Sequence, residues 1–198
     1  MNTQKNALIT GASRGIGAAA ARALAARGFR VAVNYNTSEQ AAGALALELG
    51  GTAVRADVSD PDAVKRMFAV LPPPDALVCN AGVALTGLFQ DTAARWREVF
   101  DLNFGGAVNC INAALPHMLR EKRGRIVIIT SVWGRFGASC EAVYSASKAA
   151  LHGLALSLAK ELGPSGITVN CIAPGVIATD MNSGLGKAEL DSLRERTP

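Results

Sequence analysis

Six short apolar runs recur along the chain: "NALIT" (6–10), "RVAVNY" (30–35), "TAVRA" (52–56), "DALVCN" (75–80), "RIVIIT" (125–130) and "ITVNCI" (167–172). Most are nearly continuous rather than alternating, the pattern of strands covered on both faces. Between them, polar and apolar positions repeat at helical spacing over 15–27, 38–49, 61–69, 93–121 and 141–162. The last stretch places Leu151, Leu154, Ala155, Leu158 and Leu162 on one stripe. Strands alternating with helices predict an α/β fold, a parallel sheet with helices on both sides. No repeat, low-complexity segment or linker interrupts the pattern. The prolines at 72–74 form a stiff loop ahead of the fourth strand.

Composition narrows the picture. With 198 residues, 49% of them apolar and 18% charged, the chain suits one globular domain. The net charge is only +4, the basic residues are scattered and aromatics are 5%, so nucleic-acid binding is not suggested. No apolar run is long enough to span a membrane, and the N-terminus lacks the basic-then-apolar pattern of a leader. The four cysteines, Cys79, Cys110, Cys140 and Cys171, stand far apart with no Cys-x-x-Cys pair and no Cys/His cluster. No metal site is therefore expected, and a reducing cytoplasm fits best.

"TGASRGIG" (Thr10 to Gly17) joins the first strand to the first helix. Gly11 suits a tight turn. Gly15 and Gly17 let a diphosphate and the helix come close to the backbone, and the helix N-terminus offers free N–H groups to phosphates. The spacing is Gly-x-x-x-Gly-x-Gly, so the alternative is a purely structural turn. The end of the second strand reads "VNYNTSEQ", with Asn34 and Asn36 and no acid before Glu39. NAD sites usually carry an acid there for the ribose 2′-hydroxyl. Its absence, with Arg14 in the loop, favours NADP(H). The alternative for Arg14 is a solvated surface role.

Ser131 ends the fifth apolar run, and Tyr144 and Lys148 stand one helical turn apart on one face. A cation at roughly 4 Å and an effective dielectric near 20 would lower a phenol's pKa by about three units. Lys148 is thus expected to bring Tyr144 toward neutrality for general acid–base work, with Ser131 holding a carbonyl oxygen. On spacing alone, a core tyrosine with a solvated lysine is the better explanation, because Tyr-x-x-x-Lys is common by chance.

Taken together, "TGASRGIG", Asp57-Val58, "NAG" (Asn80 to Gly82), Asn103, Ser131, "YSASK" and "PGVIAT" (174–179) resemble the short-chain dehydrogenase/reductase family over essentially the whole chain. The resemblance implies a Rossmann-type, doubly wound fold and an NADP(H)-dependent oxidoreductase. It implies that Gly11, Ser13, Arg14, Gly15, Ile16, Gly17 and Asn34 meet the cofactor. Asp57 and Val58 would meet its adenine, and Asn80, Ala81 and Gly82 would line the groove. Pro174, Gly175, Ile177 and Thr179 complete the cofactor set, with Ile177 and Thr179 on the carboxamide. Tyr144 would donate the proton, Lys148 would also hold the nicotinamide ribose, and Asn103 would place a water in a relay to Lys148. A homodimer or homotetramer is implied, paired through the helices near 104–121 and 141–162.

Within the family the chain is most similar to 3-oxoacyl-(acyl-carrier-protein) reductases of fatty acid synthesis. Those usually carry Asn-x-Gly-Gln-x-Asn before the tyrosine, where this chain reads "ASCEAV" (138–143). The segment also resembles reductases acting on an aminopentanone group on a lysine of elongation factor P. Glu141 would pair with the amine; alternatively it is a helix-start acid, with Ser139 as the cap. Trp133 and Phe136 are expected at the substrate mouth. The basic run "REKRGR" (120–125) is either a dock for an acidic carrier or a solvated loop. Relatives of this type continue past "RERTP" with a further helix and strand, so residues 1–198 are expected to form one reductase domain lacking that cap. A nucleotide-binding regulator without turnover would share the fold, but the intact Ser131, Tyr144 and Lys148 speak against it.

Overall fold

The computed structural model describes residues 4–179 together with Gly186 and Asp191. The expectation about the chain's end at Pro198 lies outside the described residues. Six parallel strands form one sheet: β1 (Asn6–Ile9), β2 (Arg30–Tyr35), β3 (Thr52–Arg55), β4 (Ala76–Cys79), β5 (Gly124–Ile129) and β6 (Ile167–Ile172). Their order is β3-β2-β1-β4-β5-β6. The chain turns back on itself between β1 and β4, so the loops after these two strands part and leave a crevice at their carboxyl ends.

Helices cover both faces, as the unbroken apolar runs require. Alternate strand residues enter separate cores. Ala7, Ile9, Val31, Val33 and Val78 pack with α1 (Gly15–Ala25) and α2 (Glu39–Glu48). Leu8, Leu77, Cys79, Ile126 and Ile128 pack with α3 (Pro61–Val70), α6 (Gly106–Glu121) and α8 (Ala142–Leu162). Leu151, Ala155 and Leu162 of the predicted stripe are buried there, with Leu154 and Leu158 partly buried. Short helices α4 (Phe89–Thr92) and α5 (Trp96–Phe100) precede α6, and α7 (Trp133–Phe136) precedes α8.

The structure corrects the single helix expected over 93–121. Asp101–Gly105 is a π turn that separates α5 from α6. It coincides with Asn103, a polar residue drawn inward to bond another segment. Gly106 follows immediately, where a Cβ would come within 2.6 Å of Val58 Cγ2. A wider turn and a residue without a side chain let this helix lie close to the loop after β3.

Candidate active site

The crevice is a cleft of about 560 Å³ at the carboxyl edge of β1, β2 and β4. Its floor is built by backbone. Gly11 has φ +59°, and a Cβ there would lie 2.8 Å from Ala81 Cα, so no other residue fits without strain. Gly17 faces inward rather than toward the cleft: a Cβ would meet Asn80 Nδ2 at 2.6 Å and Gly11 O at 2.8 Å. Its role is the close seating of α1 on β1. The loop is stitched to its neighbour by side chains. Thr10 Oγ1 accepts from the Asn80 and Ala81 N–H groups at 2.9 and 3.0 Å, and Asn80 Nδ2 donates to the Thr10 and Gly11 carbonyls, both at 2.9 Å.

These features fit a dinucleotide. The N-cap of α1, Arg14, makes no side-chain cap and the first turn carries no acid, so the N–H groups there face the cleft without a competing carboxylate. Ser13, Arg14, Gly15 and Ile16 line the cleft, as do Asp57, Val58, Ala81, Gly82 and Thr179. Thr179 approaches Gly15, and the loop carrying it is aligned by Val132 N–H donating to Pro174 O at 3.0 Å. Gly175 and Ile177 lie in this same loop, with Thr179 Oγ1 donating to Ile177 O at 3.4 Å.

Asn34 departs from its expected role. It borders the cleft, but its side chain is almost fully buried and committed: Oδ1 accepts from Gly11 N–H at 3.2 Å and Nδ2 donates to Ala56 O at 3.0 Å. It clamps the phosphate loop to β2 rather than presenting a polar edge to a ribose. Asn36, Thr37 and Ser38 form the cleft wall beyond it. Asp57 is engaged by Ser59 and Asn36, at 2.6 Å from Ser59 Oγ and 3.1 Å from Asn36 Nδ2.

Ser131, Tyr144 and Lys148 converge, and all three are buried. Ser131 Oγ accepts from Trp133 N–H at 3.2 Å and hydrogen-bonds the Tyr144 phenol. Lys148 Nζ donates to Ile129 O at 3.0 Å and lies 5.8 Å from the Tyr144 ring centroid. Burial pushes the ammonium's pKa down to about 8. The Cys79 thiolate would oppose that shift, but burial raises the Cys79 thiol far above its usual range, so it stays neutral. An ammonium has three donors, and the one bond described here leaves two for hydroxyls brought into the cleft.

The expected lowering of the Tyr144 pKa is not found. Burial raises it, the hydrogen bond with Ser131 opposes the rise, and the charge of Glu141 adds to it. The phenol therefore keeps its proton at neutral pH, the state a proton donor needs.

The Asn103 side chain is fully engaged. Its Oδ1 accepts from Val83 N–H at 2.8 Å, and its Nδ2 donates to Val83 O and Ser147 Oγ, both at 3.0 Å. Both amide hydrogens are used, so the side chain acts as a tie between segments. Trp133 is half-buried and Phe136 is exposed, with the Arg135 guanidinium 5.6 Å from the Phe136 ring centroid. Glu141 is the N-cap position of α8 but does not cap it; its carboxylate bonds Thr86, and burial raises its pKa. Ser139 is not the cap either: its hydroxyl lies 3.8 Å from Cys140 Sγ.

The basic run 120–125 lies at the amino end of β5, opposite the edge that carries Ser131. Arg123 pairs with Asp75 at 3.1 Å, and Arg125 bonds the Gly124 and Gly166 carbonyls. Sequence reasoning missed Thr10, Thr86, Gly134 and Ser147. Thr10 and Ser147 lie inside quoted motifs, whereas Thr86 and Gly134 matter only through contacts across the fold. No cluster able to hold a metal occurs among the described residues, nor a helix long and apolar enough to cross a membrane.

Comparison with known proteins adds the following. The profile of the short chain dehydrogenase family matches residues 5–190. The uncharacterized oxidoreductase YmfI of Bacillus subtilis (strain 168) is 40% identical over 202 residues, covering 98% of this chain and 84% of that protein. The 3-oxoacyl-[acyl-carrier-protein] reductase FabG of Staphylococcus aureus is 42% identical over 209 residues, covering 99% and 82%. The crystal structure of a 3-oxoacyl-[acyl-carrier protein] reductase from Brucella melitensis superposes with a TM-score of 0.90 at 36% identity, over 98% of this chain and 77% of that one. A reductase of that organism with bound NAD gives 0.83 at 36% identity, over 90% and 73%.

The buried lysine yields a test. Its folded pKa of about 8 lies below the ordinary 10.5. Between these values the unfolded chain holds the additional proton, so this group makes stability rise with pH. From pH 7 to 9 the gain is about 1 kcal/mol. The raised thiols of Cys79 and Cys110 act in the opposite sense above pH 9, so the comparison stops there. Denaturant unfolding at both pH values should show this gain in the native protein relative to Lys148→Met. Equal pH slopes for the two proteins would overturn the assignment.

Proposed function

The chain belongs to the short chain dehydrogenase family, and from that premise we propose that it is an NADPH-dependent reductase of 3-oxoacyl thioesters carried on acyl-carrier protein. The observation that carries the reading is the Tyr144 phenol, protonated and hydrogen-bonded to Ser131, beside a buried ammonium that packs against Gly82 of the cleft wall. The family uses a nicotinamide cofactor, which supplies the hydride when bound. Ser131 and Tyr144 together hold the substrate carbonyl oxygen. Tyr144 then gives up its proton to that oxygen as negative charge develops, and the Lys148 charge stabilises the phenolate left behind. The two remaining Lys148 hydrogens hold the nicotinamide ribose. The names of relatives at about 40% identity support the thioester as substrate class.

NADPH preference is supported by the cleft wall. Arg14, Asn36, Thr37 and Ser38 line it, and no carboxylate occurs from 34 to 38. One Brucella reductase was solved with bound NAD, so the preference is a discriminating claim about this chain. A homodimer or homotetramer is part of the reading. Small exposed residues Ala142, Ala146, Ala149 and Gly153 run along one face of α8 to Leu156, and Val108 and Leu119 are exposed on α6.

A second reading rests on Glu141. It does not cap α8, it is half-buried, and its charge reaches Tyr144. A carboxylate there favours a substrate with an amine near the carbonyl, such as the aminopentanone on a lysine of elongation factor P.

Three measurements test these readings. The purified protein should oxidise NADPH with an acetoacetyl thioester. Tyr144→Phe should lower turnover by at least about 10²-fold while NADPH affinity stays within about two-fold; a near-native rate ends the mechanism. NADPH should bind more tightly than NADH, and Arg14→Ala should cost NADPH binding about 1–3 kcal/mol more than NADH. Equal or tighter NADH binding contradicts that preference. Glu141→Gln should slow reduction of an amino-ketone by about ten-fold while sparing the uncharged thioester. Equal changes on both substrates remove the amine reading.

A further inference from the structure

Ser147 is a buried polar residue that the reaction itself does not use. Its exposure is 0%, and it lies three residues after Tyr144 and one before Lys148 on α8. The hydroxyl donates to Tyr144 O at 2.7 Å and accepts from Asn103 Nδ2 at 3.0 Å. Donating to a carbonyl one turn back is an ordinary way for a helical serine to satisfy its hydrogen. Accepting from Asn103 is different, because it links α8 to another element. Asn103 sits in the π turn, and its other bonds reach Val83 in the loop after β4. Three separate segments therefore meet at one amide.

The neighbours of these three residues include groups of the candidate site. Gly82 precedes Val83, and a Cβ there would lie 2.9 Å from Asn103 Oδ1 and 3.3 Å from Lys148 Nζ. Without the Ser147 hydroxyl, one Asn103 amide hydrogen loses its acceptor in a site closed to water, which is costly. The amide would then turn or the π turn would shift, and either changes the spacing around Lys148. A π turn at a functional site commonly serves to place a side chain that an α-helix would misdirect.

We propose that Ser147 is a positioning residue, which acts through Asn103 to hold the π turn against α8 and so keeps Tyr144 and Lys148 in the geometry that proton transfer requires. This rests on the reductase reading given above. Ser147→Ala should lower kcat by about ten-fold and leave substrate KM within about two-fold. The double variant Ser147→Ala/Asn103→Ala should be no slower than Asn103→Ala alone, because one residue acts through the other. A Ser147→Ala rate within about two-fold of native, or losses that multiply in the double variant, overturns the proposal. If Ser147→Ala fails to fold, Ser147→Cys keeps the volume with a poorer acceptor. It should lose kcat several-fold at an unchanged melting temperature, and a native rate overturns the proposal. If the native protein reduces no ketone, the reductase reading has failed, and the tie is judged by NMR in the protein without cofactor. Hydrogen exchange of the Asn103 side-chain amide should then be at least about ten-fold faster in Ser147→Ala. Unchanged exchange overturns the proposal.

Discussion

The site depends on burying one positive charge. Moving the Lys148 ammonium out of water lowers its pKa to about 8, from an ordinary 10.5. That depression corresponds to about 3 kcal/mol against the charged form. The fold accepts this cost and arranges several segments around the charge. The end of β5 supplies the Ile129 carbonyl. The loop after β4 passes beside the ammonium as Gly82, where a Cβ would lie 3.3 Å from Nζ. α7 crosses the backbone as Gly134, where a Cβ would lie 2.8 Å from the Lys148 carbonyl carbon. These glycines are needed for closeness rather than for unusual dihedrals. The result is a buried cation beside Gly82 of the cleft wall and 5.8 Å from the Tyr144 ring centroid.

The cleft exists for a topological reason, and its shape is held by polar stitching. Because the chain reverses between β1 and β4, the loops after these strands separate. Asn80 then fixes the gap by donating twice to Thr10, from its backbone N–H to Oγ1 and from Nδ2 to the carbonyl. Asn34 holds the same loop from the β2 side. A phosphate loop clamped on two sides presents its N–H groups without rearrangement, which reduces the ordering cost of binding.

The two ends of the sheet carry different chemistry. The carboxyl edge holds the cleft and leads into the segment with Ser131, exposed Phe136 and the Glu141 N-cap position of α8. The amino end of β5 carries the basic run, with Arg123 committed to Asp75 and Arg125 to backbone carbonyls. Charge near a strand in sequence is thus separated from the reacting groups by the length of the strand.

Much of this was legible from sequence, because parallel strands covered on both faces must be apolar throughout. That constraint marked all six strands and the helices between them. The motifs "TGASRGIG" and "YSASK" marked the floor of the cleft and the buried Tyr144 and Lys148, since a close backbone approach needs glycine and Tyr-x-x-x-Lys needs only helical spacing. Other features were decided by tertiary contact. Asn34 faces inward because Gly11 N–H lies opposite it, which no local pattern reveals. The π turn at Asn103 exists because Val83 and Ser147 come from distant parts of the chain. Thr86 draws Glu141 away from capping α8. The direction of the Tyr144 shift follows first from burial, with the Glu141 charge adding to it. Sequence determined which residues lie on each element and at which edge. Only packing decided which polar atoms are spent on holding the fold and which remain for chemistry, because hydrogen-bond partners and desolvation are properties of the assembled neighbourhood.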